Sequence, residues 1–157
     1  MKYFTYSELL KSDTAIKKRI YNGANKEVED NLASLVAAVL DPLREKYGHA
    51  ITVTSGYRSV AVNKAVGGAV TSQHTKGEAA DIVGFDGSVS ENYKLGRMIV
   101  AMGNFDQVIF EDVGKNDLKP KWIHVSWKRV GDNRGLILKK IKGTTSYISI
   151  TRKELGL

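Results

Sequence analysis

The sequence predicts an α+β fold in which helices pack on a small, largely antiparallel sheet. Three observations predict it. Apolar residues recur at spacings of three and four between Lys26 and Tyr47, short alternating or β-branched runs follow later in the chain, and glycine-containing turns separate them. At 157 residues the chain is expected to form a single domain over 1–157. A chain of this size buries roughly two thirds of its unfolded surface, enough for one core and hard to divide into two.

Thr5 and Glu8 have capping-box spacing ahead of a first short helix, and Ser12 or Asp13 caps a second that carries Ala15, Ile16 and Ile20 and ends at Asn22-Gly23. From Lys26 to Tyr47 the stripe Val28, Leu32, Leu35, Val36, Val39, Leu40 and Leu43 marks an amphipathic helix closed by Gly48. Asp41-Pro42 interrupts it, either as a kink or as an N-cap followed by proline at the first helical position. Ile51 to Thr54 reads as a strand, Ser55-Gly56-Tyr57-Arg58-Ser59 as a turn, and Val60 to Val66 as a small helix stopped by Gly67-Gly68. Ala79 to Val83 is a buried strand carrying Asp81, and Ser90 to Met102 a helix. Val108 to Phe110 and Trp122 to Trp127 are strands, the second placing His124 and Ser126 on one face. Leu136 to Ile141 and Tyr147 to Ile150 supply two more around the turn at Gly143-Thr144, and the remainder of the tail reads as a frayed end.

Composition narrows the chemistry. There is no cysteine, so any metal must be held by His, Asp or Glu. The net charge of +7 draws the protein to polyanions without naming one. No nucleic-acid motif and no interleaving of aromatic with basic residues accompanies the charge, so no nucleic-acid partner is expected. Neither a signal peptide nor an apolar run of membrane-spanning length is present in the sequence. The expectation is a monomer without membrane insertion, cytoplasmic at synthesis, that reaches the cell wall or periplasm by assisted release.

His74 and Asp81 in SQHTKGEAADI and His124 in WIHVSW dominate the chain. Two imidazoles and one carboxylate meet the demand of a zinc ion that keeps one position open for water, an arrangement that points to a hydrolase. Zinc lowers the pKa of bound water toward about 7 and polarises a carbonyl as a Lewis acid. Asp81 is the telling residue, because a carboxylate between Ala80 and Ile82 in a buried strand is costly unless a metal or a hydrogen-bond network compensates it.

The pattern Ser72-x-His74-x-x-Gly77-x-Ala79-x-Asp81, preceded by Ser55-Gly56-Tyr57-Arg58-Ser59 and followed by Trp122-Ile123-His124, resembles the zinc D-Ala-D-Ala carboxypeptidases. That family includes the L-alanyl-D-glutamate endopeptidases of phage lysins and shares its fold with the Hedgehog signalling domain. The likeness runs over roughly residues 25 to 135. It implies one Zn2+ held by His74, Asp81 and His124, and a peptidoglycan peptide as the substrate. Fold and substrate class follow by analogy, since a fold does not dictate a function.

In the resembled family a Glu or Asp sits three residues before the last histidine as general base, and here that position is Lys121. The nearest substitute is Glu111, at the end of Gln107-Val108-Ile109-Phe110, with Asp112 and Asp117 as weaker candidates. Arg58 is the expected electrophilic and substrate-binding partner, because guanidinium offers a fixed fork of donors to a carboxylate or a developing oxyanion. Ser72 and Gln73 flank the first ligand and either orient it or bind the peptide. Tyr57, Trp122 and Trp127 read as core or cleft wall, and His49 as an exposed loop residue. The sequence thus predicts a zinc metallopeptidase acting on peptidoglycan stems, as a carboxypeptidase that trims a terminal D-alanine or as an endolysin-like endopeptidase. The alternative is a zinc-binding, non-catalytic wall-binding or phage structural module, which Lys121 favours.

Overall fold

Local signals explain most of the elements in the computed structural model, which describes all residues from Met1 to Leu157. Helix α1 (Tyr6–Leu10) opens on the capping box of Thr5 and Glu8, and α2 (Asp13–Lys18) on the Ser12 hydroxyl, which accepts from the amide of Ala15. The second helix ends earlier than the expected Asn22-Gly23, at Arg19, which takes the left-handed conformation at φ 55°. Asn22 is instead a clasp. Its amide donates to the carbonyls of Leu10 and Tyr57, and its side-chain oxygen accepts from the amide of Ser59.

The long amphipathic segment runs as α3 (Lys26–Leu35), a π-helical turn (Val36–Leu40) and α4 (Asp41–Tyr47) without leaving helical geometry. Pro42 lacks an amide and crowds the preceding turn, and the wider π turn, with Asp41 N–H donating to the carbonyl of Val36, accommodates it. Asp41 is therefore not a cap. Its carboxylate accepts the backbone amides of Lys2 and Tyr3 and pins the start of the chain. All seven stripe residues named above are buried, which establishes this helix as the central packing element.

Six strands form one mixed sheet in the order β1-β2-β4-β3-β5-β6: β1 (Thr52–Ser55), β2 (Ala79–Val83), β3 (Gln107–Val113), β4 (Trp122–Ser126), β5 (Leu136–Ile141) and β6 (Tyr147–Ser149). Every pairing is antiparallel except β3 with β5, so the sheet is largely antiparallel as predicted. Between β1 and β2 lie α5 (Val60–Ala65) and a 3₁₀ turn (Gln73–Lys76). Helix α6 (Val89–Met102) starts one residue before the expected Ser90, because Ser88 caps it by accepting from the amide of Glu91.

Period-two alternation divides the sheet into two chemically different faces. Ala80, Ile82, Val108, Phe110, Ile123 and Val125 enter the core. Gly96 lets α6 approach closely there, since a Cβ at that position would fall 2.6 Å from Phe110 and 2.7 Å from Ile123. Asp81, His124, Ile109 and Glu111 point to the opposite face and line a cleft. The tail is not frayed: Ile150 and Leu155 are buried, Arg97 donates to the carbonyls of Leu155 and Gly156, and Arg152 to that of Val100. No helix is long and apolar enough to cross a membrane.

Candidate metal centre and active site

Register brings the predicted ligands together. Asp81 on β2 lies directly opposite His124 on β4, and His124 lies opposite Ile109 on β3, so one row of the sheet presents a carboxylate and an imidazole side by side. His74 arrives from the 3₁₀ turn that precedes β2. Gly77 ends that turn at φ 71° and packs against α3, where a Cβ would fall 2.7 Å from the carbonyl oxygen of Val28.

The three ligand atoms form a nearly equilateral triangle. His124 Nδ1 to Asp81 Oδ1 is 3.0 Å, His74 Nε2 to His124 Nδ1 is 3.2 Å, and His74 Nε2 to Asp81 Oδ1 is 3.3 Å. Tetrahedral zinc with bonds of about 2.0 to 2.1 Å separates its ligand atoms by roughly 3.3 Å, so the triangle has the size of one face of that tetrahedron. Two imidazole nitrogens and a carboxylate oxygen turned toward one point repel one another unless a proton or cation lies among them. The donor set fits a metal ion.

The surrounding contacts fix the ligands. His74, only 2% exposed, is within 2.6 Å of the Gly56 carbonyl through Nδ1, which places the ring proton there and leaves the Nε2 lone pair for the metal. The amide of Arg58 returns the contact by donating to the His74 carbonyl at 3.1 Å. A one-residue bulge at Thr54 turns the chain from β1 into this loop, and the Asn22 clasp holds it from behind. Burial opposes ionisation of Asp81, but the two imidazoles outweigh it and hold the carboxyl well below the usual carboxylate range.

Glu111 reaches the same cleft. It sits on β3 two residues beyond Ile109, the partner of His124, and is only 7% exposed, with Oε2 buried and unpartnered. Burial raises its pKa, against the lowering influence of Lys140 and His124. A bulge in β3 places Asp112 at φ 58° and turns its carboxylate outward, where Lys121 pairs with it at 3.5 Å. Lys121 and Asp112 thus engage each other, and neither lies among the candidate ligands. Asp117 is likewise occupied, accepting from the amides of Leu118 and Lys119 in a turn.

Arg58 lines the cleft with a buried, unpartnered Nε, and burial draws its pKa below the usual range while Asp81 opposes that shift. Ser72 and Gln73 also line it. Gln73 donates to Asp106, a residue not anticipated from the sequence. Asp106 is fully buried and is gripped by Arg134, with Lys128 at 3.3 Å. Nothing in its local sequence signals burial, since the partner Arg134 lies 28 positions away. Trp122 forms cleft wall, Trp127 donates to Ser34 beside the core, Tyr57 packs against the core, and His49 is exposed.

The cleft measures about 670 Å³, with five cations (Arg58, Lys76, Lys128, Arg134 and Lys140) against three acids (Glu78, Asp81 and Glu111) among its lining residues. It is thus an open, basic groove centred on the triangle. The family model for peptidase M15 matches residues 2–126, which takes in all three candidate ligands, Arg58 and Glu111. The chain belongs to the peptidase M15 family. Peptidases of that family are zinc-dependent, and this M15 chain carries a His-Asp-His group able to hold the metal. No curated protein matches the chain.

Proposed function

We propose that this M15 chain is a zinc peptidase that hydrolyses an amide bond in the peptide stems of peptidoglycan, with one Zn2+ held by His74, Asp81 and His124. The observation that carries the reading is the juxtaposition of that ligand triangle with a buried, unpartnered glutamate, Glu111, in a basic cleft. Zinc in such a site supplies Lewis acidity at neutral pH.

Glu111 takes the proton of the attacking water and returns it to the leaving nitrogen, the two halves of general acid–base catalysis. Arg58 directs its free donors at a substrate carboxylate or at the oxyanion that develops on the attacked carbonyl. Gln73 and Ser72 form the cleft wall beside His74 and contact the peptide. The excess of cations suits a substrate whose stems carry several carboxylates, and it favours residence on an anionic wall.

The experiment is digestion of purified peptidoglycan by the zinc-loaded protein, with and without chelator, followed by mass analysis of the released fragments. Loss of single D-alanine residues identifies a carboxypeptidase, and release of longer peptides an endopeptidase. Lys121 at the family's usual base position supports a second reading, a zinc-binding module without turnover. Bound zinc with no release of fragments would establish that reading and end the first.

A further inference from the structure

Residues beyond 126, where the match to the family model ends, build one side of the cleft: Lys128, Arg134, Lys140 and Tyr147 all line it. Two of the three cations are already committed, since Lys128 and Arg134 both pair with the buried Asp106. Lys140 pairs with no carboxylate. It is half-buried on β5, and its Nζ lies 5.8 Å from the centre of the Tyr147 ring on β6, its direct cross-strand partner. The Tyr147 hydroxyl makes no hydrogen bond within the protein, and the residue is 52% exposed.

Alternation explains why this pair faces the site. Lys139 is opposite Phe110, which enters the core, so Lys140 turns to the face of Ile109 and Glu111. Edge protection does not account for the lysine, because β6 rather than β5 is the outer strand. Across the sheet the order of groups is Arg58 beyond β1, Asp81 on β2, His124 on β4, Glu111 on β3, Lys140 on β5 and Tyr147 on β6. An ammonium without a direct ion-pair partner, whose nearest acidic influence is on Glu111, and a free hydroxyl thus flank the ligand triangle on the side away from Arg58. Two strand spacings separate β4 from β5, about 10 Å.

We propose that Lys140 and Tyr147 form a second anion subsite that takes a substrate carboxylate about 10 Å from the scissile bond, on the side of the metal centre opposite Arg58. The subsite rests on the peptidase reading only for the identity of the acidic peptide. It makes the substrate an extended chain with acidic groups on both sides of the cut. Tyr147 contributes a neutral donor, and the ring keeps the lysine aimed into the cleft.

The test is isothermal titration of the zinc-loaded full chain with the pentapeptide L-Ala-γ-D-Glu-L-Lys-D-Ala-D-Ala and its two singly amidated forms, blocked at the glutamate α-carboxylate or at the C terminus. Lys140→Gln is expected to weaken binding of the free pentapeptide about tenfold, the scale of one charge-assisted hydrogen bond. One of the two amidated peptides should bind parent and variant alike. Lys140→Arg restores tight binding, and Tyr147→Phe weakens it by a smaller factor. Thermal unfolding of each variant verifies the fold. Failure of the parent to bind any of the peptides, equal binding of all three by parent and Lys140→Gln, or equal weakening of all three by the variant would overturn the subsite. Discrimination by Lys140 without hydrolysis would sink the peptidase reading and leave the subsite standing, whereas hydrolysis without discrimination does the reverse.

Discussion

The carbonyl of Gly56 accepts the Nδ1 proton of His74 at 2.6 Å, so a loop 18 positions away orients the first candidate ligand. Gly56 is there because nothing larger fits: a Cβ would lie 2.2 Å from the backbone oxygen of Leu9, which also receives the amide of Tyr57. Gly56→Ala is expected to displace this loop, costing about 2 kcal/mol of stability. It should also weaken zinc binding by roughly ten- to a hundredfold through the lost orientation of His74. Chemical denaturation and a competitive zinc titration check the two effects separately.

Glu111→Gln keeps the shape of the side chain and removes its basicity. The variant should retain zinc while turnover falls at least about a hundredfold. Because burial raises the Glu111 pKa, the acid limb of the parent's kcat/KM profile is expected above the ordinary glutamate value of about 4.3. The base must be ionised to accept a proton, so activity declines as the pH falls through that limb. Turnover unchanged in the variant would exclude Glu111 from the chemistry.

Asp106 anchors Gln73, Arg134 and Lys128 from a fully buried position. Burial disfavours its charge, but the bonds from Arg134 and Gln73 prevail and hold its pKa well below the usual range. The folded state therefore binds this proton less readily than the unfolded chain, and the resulting stability is present above about pH 4 and lost as the pH falls further. Asp106→Asn should cost about 3 kcal/mol at neutral pH, the scale of a broken buried pair. Urea unfolding at a series of pH values should show the gap between parent and variant closing below about pH 4.

Metal binding to the folded state alone stabilises it by mass action. Zinc at a hundredfold excess over Kd should raise the parent's stability by about 2.7 kcal/mol, and chelator should reverse the gain. Asp81→Ala removes one corner of the ligand triangle. A Tm in that variant that responds to zinc as the parent's does would disprove the assignment.

Much of the site was legible because its chemistry is unusual for its surroundings. A carboxylate between Ala80 and Ile82 in a buried strand asks for a compensating partner, and the only histidines besides the loop residue His49 are His74 and His124. The helix stripe was equally plain, since all seven of its residues are buried. The π turn at Pro42 was not, because one helix and two abutting helices share the same periodicity. Asn22 looked like a helix stop, and its clasp on Tyr57 and Ser59 depends on partners more than thirty positions away.

By itself the sequence marked the candidate metal-binding residues, the alternation that puts Asp81 and His124 on polar faces of their strands, and the mixture of helix and sheet. Tertiary structure alone decided that Asp81 stands opposite His124, that a bulge turns Asp112 outward to pair with Lys121 while Glu111 stays in the cleft, and that the segment after residue 126 builds one side of it. The physical reason is range. Side-chain type and spacing act over a few residues, whereas strand register and bulges are settled by which distant segments pair, a choice made by the packing of the whole core.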